Sequence, residues 1–166
     1  MPMSEETRRE IDQLREEIRT IGATLRQLRQ DLAEVDQVKS GPGGEIDLSL
    51  WNKGEEFREQ VRVVISRREE VQGRLNDLLR PFRAARIVPA LRETGGSVRE
   101  FITEVRAVLP SESSATPHLR EALDKAIGVD DEGHALGRIL DLFMFREIRG
   151  AVEQVLAIKV SNGTGG

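Results

Sequence analysis

Apolar residues recur along the first half of the chain at alternating steps of three and four. One run passes through Ile11, Leu14, Ile18, Ile21, Leu25, Leu28, Leu32 and Val35. A second passes through Leu50, Gly54, Phe57, Val61, Val64, Arg68, Val71, Leu75, Leu78 and Phe82. Such steps average 3.5 residues, the repeat that keeps an apolar seam turned towards a partner helix through a left-handed supercoil. Between the runs, Ser40-Gly41-Pro42-Gly43-Gly44 cannot continue a helix, because glycine is flexible and proline lacks a donor.

A chain that turns at these glycines brings the two runs together antiparallel. With the turn centred near Gly44 and Glu45, facing residues have numbers summing to about 89. Ile11 then faces Leu78, Leu14 Leu75, Ile18 Val71, Leu25 Val64, Leu28 Val61 and Leu32 Phe57, apolar on both sides throughout. Two layers depart from this: Ile21 faces Arg68, and Val35 faces Gly54. One edge agrees in charge, with Glu10, Glu17, Thr24 and Asp31 beside Lys53, Gln60, Arg67 and Arg74. Exposed pairs of this kind contribute little, of order 0.2–1 kcal/mol each, yet they help select the partner. A parallel homodimer of the first helix sets Asp31 against Asp36 and leaves the second helix unmatched, so the intramolecular hairpin is preferred.

Beyond Pro81 the heptads give way to shorter amphipathic segments: Ala84–Glu93, a helix opened by the Ser97–Glu100 capping box and stopped by Pro110, and a helix begun by Thr116-Pro117 and closed at Gly128. A last helix capped by Asp130 or Asp131 carries apolar residues from Leu136 to Leu156 around much of its circumference and is expected to be the central buried element. The predicted fold class is all-α: a long antiparallel coiled-coil helical hairpin over 1–80, with helices at about 5–38 and 50–80, followed by a small helical bundle over 81–160 and a disordered tail over 161–166. Ser4 is the expected first cap, Asp47 or Ser49 the cap of the second helix, Pro81 its brake, and Ile46 and Leu48 a short extended piece at the tip.

The second helix also carries Trp51, Ile65 and Leu79 at the position after each d residue, with Val63 nearby. This second apolar stripe beside the seam is the candidate oligomer interface, read as the contact of a homodimer built by two-fold pairing of hairpins.

Composition narrows the chemistry. The charged fraction is 33% and the aromatic fraction 4%, which suits long solvated helices better than a deep catalytic pocket. The net charge of −4 weighs against a dedicated duplex-DNA binder. Charge is nevertheless uneven: between Arg62 and Arg92 eight arginines stand against Glu69, Glu70 and Asp77. The preferred reading is a solvated face paired to acids. The alternative is a phosphate-binding stripe, with Arg80, Arg83, Arg86 and Arg92 as its candidates.

The chain has no cysteine, hence no thiolate metal site or cysteine nucleophile. Its two histidines, His118 and His134, lack such partners, and Asp130, Asp131 and Glu132 before His134 read as an acidic helix start rather than a metal site. Gly41–Gly44 lacks the preceding strand and the following Lys-Ser/Thr of a phosphate loop, and no serine sits in a nucleophile elbow. The expectation is therefore a non-enzymatic helical oligomerisation, adaptor or assembly protein without cofactor. Its partners are itself and a further, unidentified protein, and the alternative partner is nucleic acid. No segment has the ~18 consecutive apolar residues of a membrane span, and a cytoplasmic location is the default.

Overall fold

A computed structural model describes residues 2–39 and 48–164. Among these residues all regular structure is helical: α1 (Glu5–Lys39), α2 (Leu48–Thr94), α3 (Val98–Ala107), α4 (Thr116–Ile127), α5 (Glu132–Asp141), a 3₁₀ turn (Leu142–Met144) and α6 (Arg146–Thr164). The expected turn at 40–44, the Asp47 cap and Ile46 lie outside the described residues. Two compact units result, one formed by Ser4–Leu75 and one by the chain from Asn76 on.

In the first unit α1 and α2 pack as the predicted antiparallel hairpin. Ser4 caps α1, its hydroxyl accepting from the Thr7 N–H at 3.1 Å. Ile21, Leu25 and Val71 are buried in the seam, with Leu14, Ile18, Val61, Val64 and Ile65 packed against them. Charged pairs report the register independently. Arg74 Nη2 donates to Glu10 at 2.8 Å and Arg67 Nη2 reaches Glu17 at 2.7 Å on one flank, while Arg58 Nη2 lies 3.3 Å from Asp36 on the other. The pair numbers sum to 84 on the first flank and 94 on the second, symmetric about the expected 89. The irregular layer is also formed, since Val35 and Gly54 are both buried.

Three expectations along the chain are corrected. Leu48 and Ser49 belong to α2 itself, so Leu48 is not extended and Ser49 is not its cap. Nor does α2 end near Leu79: it continues through Pro81 and Pro89 to Thr94. An interior proline costs about 3 kcal/mol or more. Here the continued helix buries Ile87 (1% exposed) and Leu91 (5%) in the core of the second unit, and each such side chain contributes about 1.5–3 kcal/mol. The helix ends at Gly95, whose φ of +69° only glycine adopts readily. The Gly96 N–H bonds back to Leu91 O at 3.1 Å and the Gly95 N–H to Arg92 O, which closes a Schellman motif.

The third correction concerns the last helix, which is two helices. Asp131 caps α5, accepting from the Gly133 N–H at 2.8 Å. The chain then tightens into the 3₁₀ turn and extends at Phe145 (φ −87°, ψ 126°) before α6 begins. A single rod that is apolar nearly all round needs cover on every side. The break lets α5 bury Ala135, Ile139 and Leu140 while α6 buries Ile148, Ala151, Val152, Val155 and Leu156. The carbonyls freed there find donors. Asn76 Nδ2 donates to Leu140 O at 3.1 Å, Arg80 Nη2 to Gly137 O at 3.1 Å, and Arg149 Nη1 to Phe143 O at 2.7 Å. The α6 helix also runs to Thr164, four residues into the stretch expected to be a tail.

Around these helices α3 supplies Phe101, Ile102 and Val105 and α4 supplies Leu119, Leu123 and Ala126, all fully enclosed. The Ser97 capping box is present, with Glu100 N–H donating to Ser97 Oγ at 3.1 Å. Thr116 does not cap α4. It is buried in the first turn, and its hydroxyl donates to the Pro110 carbonyl instead.

Candidate interaction surfaces

The four residues read as one apolar stripe do not share a surface. In an α-helix two positions apart is about 200° around the axis, so Val63 and Ile65 face opposite flanks of α2. Val63 is 60% exposed, whereas Ile65 is half-buried against the hairpin seam. Leu79 is buried. Trp51, 49% exposed, stands beside Leu48, 72% exposed, one turn away at the start of α2. The i, i+3 spacing of Leu48 and Trp51 is the signal in the sequence for this patch, and it shows only once Leu48 is helical rather than extended.

The arginine stripe is largely engaged within the chain. Arg80 pairs with Asp141 and donates to Gly137 O. Arg83 donates to Asn76 Oδ1 and lies over the Phe143 ring, 4.8 Å from its centre. Arg86 holds Glu153 with both terminal nitrogens, and this bond raises its guanidinium above the usual value. Further back, Arg62 pairs with Glu59, Arg74 with Glu10, and Arg67 with Glu17 and Glu70. The bond to Glu17, ahead of that to Glu70, pushes Arg67 above its usual value. Of the four phosphate candidates, Arg92 is exposed and without an ion pair among the described residues.

A cleft of about 540 Å³ in the second unit is lined by Val108, Pro110, Ser113, Glu147, Gly150 and Gln154 among others. Ser113 Oγ donates to Glu147 Oε1 at 3.0 Å. The Glu147 carboxyl is held below its usual value first by its own backbone N–H and then by Ser113 and the nearby Arg146. Ser113 Oγ also accepts from the Ala115 N–H at 3.3 Å, so the contact ties the α3–α4 loop to α6. His134 Nδ1 lies 3.4 Å from Asp131 on the surface, and His118 packs edge-on to Phe145. No group of three or more His, Cys, Asp or Glu among the described residues is placed to hold a metal ion. No helix among them is long and apolar enough to cross a membrane.

No family model, curated protein or solved structure matches the chain.

Proposed function

We propose that the protein is a non-enzymatic helical oligomerisation and adaptor module that acts through the surfaces of its hairpin. The observation that carries this reading is that α1 and α2 already fill one another's seam, yet α2 still presents Leu48, Trp51 and Val63 to solvent. Apolar side chains on a long, otherwise charged helical surface suit contact with another protein. The engagement of the arginine stripe by Glu10, Glu17, Asp141 and Glu153 favours this reading over phosphate binding.

Static light scattering of the full chain tests it. A mass above that of one chain, 18.6 kDa, is expected at micromolar concentration. A mass of one chain throughout that range would remove the self-association on which the reading rests.

A further inference from the structure

The hairpin has two chemically different flanks. One is marked by the Asp36–Arg58 pair, and residues in steps of seven from these two lie along it: Arg29, Gly22, Arg15 and Arg8 on α1, Trp51, Ile65 and Gln72 on α2. The other is marked by Glu10–Arg74 and Glu17–Arg67 and carries the exposed Val63.

Their charges are opposite. On the first flank Arg8, Arg15, Arg26 and Arg29 make no ion pair among the described residues, and the acids there likewise without one are Asp12 and Glu69. On the second, Glu6, Asp31, Glu34 and Glu56 are without ion pairs, against Lys53. The apolar side chains differ in place as well: Leu48 and Trp51 stand at the start of α2 on the first flank, and Val63 stands mid-helix on the second. A Cβ built on Gly22 would meet nothing within 4 Å, so the missing side chain leaves a notch of open space on the basic flank. The acidic flank has a protruding side chain, Val63. In the register fixed above, Val63 lies level with residue 26 of α1. Knob and notch are therefore only four residues, about 6 Å, apart along the axis.

We infer that the partner of the hairpin is a second copy of this chain bound flank to flank, the acidic flank and Val63 of one copy against the basic flank and Gly22 notch of the next. The inference rests on the self-association proposed above and replaces the two-fold pairing expected from the sequence. An isologous contact sets like charge against like on either flank, whereas a heterologous contact matches charge, seats Val63 over the open space at Gly22, and leaves a free flank at each end for a ring or an open array.

Two single variants test the geometry. Val63→Arg removes the knob and opposes the charge of its flank; Gly22→Glu fills the notch and opposes the charge of its own. Both sites are open to solvent, and circular dichroism of each variant checks that helix content is kept. Each variant alone is expected to associate about tenfold more weakly or worse, the loss that follows from leaving one valine uncovered. An equimolar mixture is expected to recover a heterodimer in light scattering, because the intact notch of one variant accepts the intact knob of the other. Association is also expected to weaken as salt rises from 50 to 500 mM, both values chosen to span the screening range. Loss of association by Val63→Arg without recovery on mixing would overturn the flank-to-flank contact in favour of a two-fold one. Variants that associate like the parent protein would overturn it while leaving self-association standing. A monomeric parent protein would remove both.

Discussion

Arg68 is the one charged residue in the hairpin seam. Its side chain is half-buried, and its Nε is enclosed without a hydrogen-bond partner. Glu17, one turn from the facing Ile21, is bonded to Arg67. An enclosed donor without a partner costs about 1–3 kcal/mol, so Arg68→Leu is expected to match or exceed the parent protein in stability. Urea unfolding measures this. A clear loss would reveal a favourable interaction of Arg68, and a gain in stability with scattered oligomers would assign it to register selection.

At the scale of elements, heptad positions differ in depth although the pattern treats them alike. Leu25 is 2% exposed, whereas Leu28, three residues on, is half-buried. Leu25→Ala is expected to cost about 2–5 kcal/mol and Leu28→Ala distinctly less, and thermal unfolding of the two variants compares them. Equal losses would contradict the burial described. The hairpin was legible because its signal is redundant: an apolar repeat, a turn and matched edge charges all specify one pairing. The course of α2 through Pro81 and Pro89 was not, because the burial of Ile87 and Leu91 that outweighs the prolines depends on residues distant in sequence, such as Phe101 and Ile139. Likewise the break at Phe145 leaves no local breaker in the sequence. It follows from having to cover an element that is apolar on too many sides.

For the whole molecule, net charge and its internal pairing bear on partners. With a charge of −4 and Arg80, Arg83 and Arg86 held by acceptors of the chain itself, the 62–92 stripe keeps few cations to displace counterions from a phosphate backbone. Binding to generic duplex DNA at physiological salt is expected to be weaker than about 10⁻⁴ M. Fluorescence anisotropy across a salt series checks this, and tight binding that falls steeply with salt would reinstate the nucleic-acid reading.

The sequence by itself determined the helical class, the antiparallel pairing of α1 with α2, its register and the caps at Ser4 and Ser97, because each depends on neighbours within a few turns or on a strict repeat. Tertiary structure alone decided that Ile65 and Leu79 are covered while Val63 stands out on the opposite flank, that Arg80 and Arg86 close on α5 and α6, and that α2 outlasts its prolines. These outcomes depend on which distant side chains meet, and the energy of such a meeting is not carried by any local run of residues.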